Sequence, residues 1–159
     1  MSASILVVCT GNICRSAMAD VILRARAAER GLDIVVDSAG ISDEEAGNDI
    51  DPRAKRVLRE AGYPIPAHSA RQVHEGEIAS YSLVLAMTDR HLRALRRRAE
   101  LDGQGSDNVY MWREFDPETT AAEDLDVPDP WYGGHEDFLD TLAVVERTVD
   151  AVLDAAIKR

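Results

Sequence analysis

A chain of 159 residues that is 45% hydrophobic carries enough apolar side chain for one sizeable core without disulfide or metal support, so a single domain over residues 1–159 is expected. Its formal net charge of −11 argues against general nucleic-acid binding, which needs a cationic face, but leaves an anionic small ligand open because the field at one loop can oppose the net charge. Two cysteines rule out a disulfide framework, and no apolar run reaches membrane-spanning length; a soluble protein of the reducing cytoplasm, with no membrane partner, is expected.

In chain order, the short apolar run Ile5 to Val8 predicts a first strand. Met18, Val21, Ile22, Ala25 and Ala28 then recur at helical spacing, with Gly31 as a stop. Ile34 to Val36 predicts a second strand, and Asp51 followed by Pro52 reads as the N-cap and first position of a second helix that runs through Ala54, Val57, Leu58 and Ala61 to Gly62. Leu83 to Ala86 is a third strand, and Thr88 caps a helix carrying Leu92 and Leu95. Arg93, Arg96, Arg97 and Arg98 on that helix read as a solvated face. Val109 to Met111 is the fourth strand, and Phe138, Leu142, Val145, Val149 and Val152 stripe a long C-terminal helix. Strands alternating with helices define an α/β fold: a single open, mostly four-stranded parallel sheet with helices on both faces. Ligands of such sheets bind outside the carboxyl ends of the strands near a topological switch point, where the loop after the first strand lies.

That loop, Cys9-Thr10-Gly11-Asn12-Ile13-Cys14-Arg15-Ser16, holds the chemistry. Five residues between a cysteine and an arginine let the backbone curl around one tetrahedral anion, with N–H groups turned inward and the guanidinium offering a bidentate fork. A helix beginning near Ser16 adds the positive end of its dipole, which favours both a phosphate and the thiolate of Cys9. The phosphate-binding loop thus contains its own nucleophile. Asn12 and Ser16 are also ordinary turn and capping residues, and Cys9 could pack as an inert thiol. Thiolate attack on phosphorus expels an alkoxide or phenolate that a general acid should protonate, yet acidic residues crowd the stretch from Asp102 to Asp140 and position alone selects none. His68, His74, His91 and His135 are scattered and no metal-ligand or Walker spacing is present, so neither a metal nor a cofactor is expected.

The loop, extended to Val8, resembles the signature of the low-molecular-weight protein tyrosine phosphatases. Asp37-Ser38-Ala39-Gly40, Asp51-Pro52-Arg53-Ala54, Ala67-His68-Ser69-Ala70-Arg71, Phe115-Asp116-Pro117 and Val127-Pro128-Asp129-Pro130-Trp131-Tyr132-Gly133-Gly134 resemble family segments in family order. The resemblance implies hydrolysis of phosphotyrosine through a phosphocysteine, with Cys9 as nucleophile, Arg15 as phosphate clamp and Asp129 as general acid and base. It places Thr10, Gly11, Asn12, Ile13, Cys14 and Ser16 around the phosphate, Asn12 holding the loop open and Ser16 bonding the sulfur. Trp131 and Tyr132 become the wall and rim for an aryl ring, and Ser38 and His68 structural supports. Phosphotyrosine proteins are the implied partners, a bacterial tyrosine kinase among the candidates, with the enzyme a monomer. Ile13 favours tyrosine over the arginine-phosphatase branch, which would carry Thr there. Cys14, five positions from Cys9, reads either as a redox partner that traps oxidised Cys9 as a disulfide or as a small packed residue. Two positions depart from the family: Ala17 stands where Pro is usual, and Glu44 where many members carry a wall tryptophan. Two other readings stay open, an arsenate reductase of the same fold using an external thiol and a noncatalytic phosphoprotein-binding module.

Overall fold

The computed structural model describes residues 2–119 and 124–159. Four parallel strands form one sheet: β1 (Ala3–Cys9), β2 (Ile34–Gly40), β3 (Leu83–Ala86) and β4 (Val109–Met111), in the order β2-β1-β3-β4. Chain order reverses beside β1, so the loop leaving β1 opens at the switch point. Among the described residues, four α-helices accompany the sheet: α1 (Arg15–Glu29), α2 (Pro52–Glu60), α3 (Asp89–Leu101) and α4 (His135–Ile157).

The period of two along β1 separates the cores. Ile5, Val7 and Cys9 face one cluster with apolar residues of α1, α2 and α4, while Leu6 and Val8 face a second cluster with Leu92, Leu95 and Ala99 of α3. Both faces are covered, and for that reason Ile5 to Val8 can be apolar without alternation. The α/β architecture read from the sequence is therefore the one observed, and the expected caps are in place. Asp51 accepts from Arg53 N with Pro52 at the first position of α2, and Thr88 accepts from His91 N at the start of α3.

Two local expectations are corrected. The first helix begins at Arg15, one residue before Ser16, with Cys14 at the N-cap position and no side-chain cap; the Ser16 hydroxyl does not cap the helix but is turned back into the loop toward Cys9, the contact that the family resemblance implies. The second strand runs on past Val36 to Gly40, pairing residue by residue with β1 as far as Cys9↔Gly40. Gly40 is required by close approach, because a Cβ there would sit 2.5 Å from the Thr10 carbonyl oxygen. Ile41 N and Ser42 N donate to the Cys9 and Thr10 carbonyls at 2.9 and 3.1 Å, so the end of β2 braces the start of the loop. Farther off, the Asp116 carboxylate is buried against Arg113 and Arg147, tying the segment after β4 to α4; this pairing holds its pKa well below the usual carboxylate range.

Candidate active site

The loop turns on Asn12, whose backbone is left-handed at φ 63°. Its side chain is fully buried and bonded at both ends: Nδ2 donates to Ser16 Oγ at 2.9 Å, and Oδ1 accepts from Arg71 N at 3.3 Å. Its carbonyl oxygen lies 2.7 Å from His68 Nε2. These bonds bring Ser16 Oγ to 3.0 Å from Cys9 Sγ. Ser16 Oγ also lies 3.4 Å from the Ala39 carbonyl, so its one proton can point either to that oxygen or to an anionic sulfur. The longer bond yields when the sulfur carries charge, because hydrogen bonds to ionised acceptors are roughly twice as strong.

Among the described residues, the backbone N–H groups of Gly11, Asn12, Ile13 and Cys14 make no hydrogen bond within the protein. Four donors in succession at a helix N-terminus form a concavity suited to an anion. Arg15 completes it. The residue is 5% exposed, and its guanidinium donates from Nη1 to the Val127 carbonyl at 3.0 Å and places Nη2 3.5 Å from Asp129 Oδ2.

Asp129 stands at the start of a 3₁₀ turn, Pro130–Tyr132, where its Oδ1 accepts from Trp131 N at 3.1 Å. The segment is moored by Val127 N donating to the Met87 carbonyl at 2.8 Å, just beyond β3. Asp126, a neighbouring carboxylate, is committed elsewhere: it accepts from Asp89 N at 2.7 Å in the first turn of α3. Trp131 is 41% exposed and Tyr132 91%, so both are rim residues and not buried anchors. A cavity of about 210 Å³ is lined by Cys9, Thr10, Gly11, Ile13, Cys14, Arg15, Glu44, Glu45, Asp129, Trp131 and Tyr132. Glu44 thus faces the cavity, with Glu45 beside it.

Most of the residues singled out in the sequence converge here, and two stand behind. Ser38 donates to Asp20 Oδ2 at 2.8 Å, and Asp20 in turn pairs with Arg24, so this serine fastens β2 to α1 without reaching the cavity. His68 touches the loop only through the Asn12 carbonyl. Cys14 lines the cavity, yet burial, reinforced by Asp51, Cys9 and Asp129, pushes its thiol well above the ordinary range and keeps it protonated.

Three contacts were not visible in the sequence. His91, 1% exposed in the first turn of α3, lies 2.8 Å from Thr10 Oγ1 through its Nε2 and so fastens the front of the loop to the far side of the sheet. The signal was its place three residues beyond the Thr88 cap, at the carboxyl end of the strand next to β1. Arg53 reaches from α2 to the Trp131 carbonyl at 2.9 Å, while Asp51 N donates to the Ile13 carbonyl at 3.0 Å.

A thiol beside a hydroxyl, a ring of free N–H donors, a buried guanidinium and a carboxylate over the opening can perform nucleophilic displacement on a bound oxyanion. The chain belongs to the family described as low molecular weight phosphotyrosine protein phosphatase, whose model matches residues 4–159. A low molecular weight protein-tyrosine-phosphatase of Streptomyces coelicolor is 42% identical over 157 residues, covering 98% of this chain and 94% of the relative. Among solved structures, YfkJ from Bacillus subtilis superposes with a TM-score of 0.89 at 30% identity, over 99% of this chain and 96% of that one. The YwlE arginine phosphatase, in a form with a phosphorylated active-site serine, gives 0.82 at 29% identity, over 98% and 96%.

The His91 contact carries a pH signature. Burial, with Arg15 and Arg90 nearby, lowers the imidazole from 6.5 to about 3, so it stays neutral in the folded protein. The unfolded chain binds a proton near 6.5 that the folded one refuses until about 3; the stability His91 contributes is complete above 6.5 and is lost as pH falls through that window. Urea unfolding across this range should show a steeper acid loss for the native protein than for His91→Gln. Equal slopes would mean that His91 is protonated in the fold.

Proposed function

We propose that the protein hydrolyses phosphotyrosine on protein substrates through a phosphocysteine, as one catalytic domain spanning residues 1–159. The observation that carries the reading is the convergence of Cys9, the four unpaired loop N–H groups and Arg15 on one small cavity, with Asp129 above it. In the first step Cys9 Sγ attacks phosphorus and the P–O bond to the tyrosine ring breaks. Arg15 exchanges Asp129 and Val127 for two nonbridging oxygens, and the loop N–H groups take the charge that builds on the others. Asp129 gives its proton to the departing phenolate oxygen. In the second step water attacks phosphorus, Asp129 takes its proton, and Cys9 leaves as thiolate with Ser16 O–H turned toward it.

Trp131 and Tyr132, exposed on the rim, support an aryl phosphate over a phosphorylated guanidine, although the YwlE arginine phosphatase shares the fold. Arsenate reduction would require an external thiol to complete the cycle, since no cysteine follows Cys14 to carry an internal thiol relay onward. The need to keep Cys9 reduced supports a cytoplasmic setting, and among the described residues no helix is long and apolar enough to cross a membrane. A bacterial tyrosine kinase is a fitting substrate, and a monomer suffices because every group of the site comes from one chain.

Turnover of p-nitrophenyl phosphate and of arsenate by the wild type separates these activities directly. Cys9→Ser should abolish phosphatase turnover while still binding orthovanadate, whereas Arg15→Lys should lose both because an ammonium cannot reproduce the planar fork. Asp129→Asn should lose on the order of 10²- to 10⁴-fold on phenyl phosphate, whose leaving group needs a proton, and much less on p-nitrophenyl phosphate. A uniform loss across leaving groups would remove Asp129 from proton transfer.

We further propose that Cys14 protects Cys9. Peroxide converts the Cys9 thiolate to a sulfenic acid, and the Cys14 thiol attacks that sulfur, releasing water and forming the disulfide. Its raised pKa makes Cys14 a poor competitor for phosphate, but proximity at the cavity wall suits it to this second role. Mild peroxide should inactivate the native protein in a form that dithiothreitol restores, and Cys14→Ser irreversibly. Equal recovery of both proteins would contradict the protective role.

A further inference from the structure

Resting on the phosphatase reading, we propose that Arg53 is a positioning residue: with Asp51 it forms a strut that sets the height of the Asp129 loop above the phosphate-binding loop. The connection can be followed atom by atom. Asp51 N donates to the carbonyl of Ile13, in the middle of the loop, at 3.0 Å. The buried Asp51 carboxylate accepts from Arg53 Nε on Oδ1 and from Nη2 on Oδ2, each at 3.1 Å, and Oδ1 also accepts from Arg53 N at 2.8 Å. The remaining nitrogen, Nη1, donates to the Trp131 carbonyl at 2.9 Å and lies 3.4 Å from that of Gly133. The guanidinium plane is further confined by rings, 5.2 Å from the centre of Trp131 and 4.7 Å from that of Phe138. Trp131 N then donates to Asp129 Oδ1 at 3.1 Å.

Arg53 therefore uses both sides of its fork, one on the fixed end of α2 and one on the backbone two residues from the general acid. An ion pair at a helix start does not by itself say this much, since exposed pairs contribute little. The reason a strut is needed lies in Arg15. Without substrate, Arg15 holds the acid loop through Val127 and Asp129. When its fork turns to phosphate, and when Asp129 is protonated, that tie weakens at the moment Asp129 must stand at bonding distance from the leaving oxygen. Arg53 does not line the cavity, so its bonds persist through the reaction. Displacement of a reacting group by about 1 Å costs on the order of a hundredfold in rate.

The test compares Arg53→Ala and Arg53→Lys with the wild type on phenyl phosphate and p-nitrophenyl phosphate, with orthovanadate inhibition as a measure of the phosphate loop. Arg53→Ala should lose on the order of ten- to a hundredfold in kcat on phenyl phosphate and at most a few-fold on p-nitrophenyl phosphate, with vanadate inhibition unchanged. Arg53→Lys, which keeps the charge near Asp51 but cannot bridge to Trp131, should show the same selective loss and serves if the alanine variant folds poorly. In an Asp129→Asn background neither substitution should widen the gap between substrates, because the acid they position is gone. An equal loss on both substrates, or a persistent selective loss without Asp129, would overturn the strut. A wild type that hydrolyses neither substrate would instead overturn the phosphatase reading on which it rests.

Discussion

The site depends on one strained residue held in place by buried hydrogen bonds. Asn12 is the only non-glycine among the described residues with positive φ, a conformation that asparagine tolerates better than most residues but still at a cost. The cost is met by three partners from two parts of the chain: Ser16 within the loop, and Arg71 N and His68 from the segment after α2. Because Asn12 is buried, losing any one of these would leave a polar group without water to replace it. The turn at Asn12 brings Ser16 back to Cys9 and leaves the intervening N–H groups unpaired. On the proposed mechanism, nucleophile, oxyanion donors and leaving-group support all follow from a single backbone choice.

A second constraint is electrostatic. In a chain of net charge −11, a nearly buried arginine faces a cavity with Glu44, Glu45 and Asp129 on its margin. An isolated buried guanidinium would be costly to desolvate. Here the protein gives it a backbone carbonyl and one carboxylate at 3.5 Å, partners good enough to hold it but open enough to be exchanged. On the proposed mechanism, a tetrahedral dianion brings more charge and two oxygens at the spacing of the fork, which favours its exchange for these two partners.

What the sequence made legible follows from the distance over which each interaction acts. Strands and helices were readable because their periods are local, and the caps at Asp51 and Thr88 because each lies within one turn of the groups it satisfies. The loop was readable for the same reason: Cys9, Asn12, Ser16 and Arg15 are neighbours in sequence as well as in space. Asp129 was not separable from the surrounding carboxylates by position, and only family resemblance singled it out. Thr10 to His91 and Arg53 to Trp131 span 81 and 78 residues, so no local pattern pairs them. Ser16 is the complementary case, a residue that carried two readings in the sequence, a local cap and a partner of the Cys9 sulfur, between which only the fold decides. Its local propensity is real, but the tertiary partner, the Cys9 sulfur, competes for it and wins.

The central claim is that the loop is both anion cradle and nucleophile, so that phosphate is transferred to Cys9 before it reaches water. Rapid acid quenching during turnover of p-nitrophenyl phosphate, followed by mass spectrometry of the peptide bearing Cys9 and Cys14, measures this directly. Phosphate covalently bound to Cys9, appearing within one turnover and decaying as phosphate is released, is the predicted result. A protein that turns over at full rate with no phosphorylated peptide at any quench time, or with phosphate on Cys14, would contradict it.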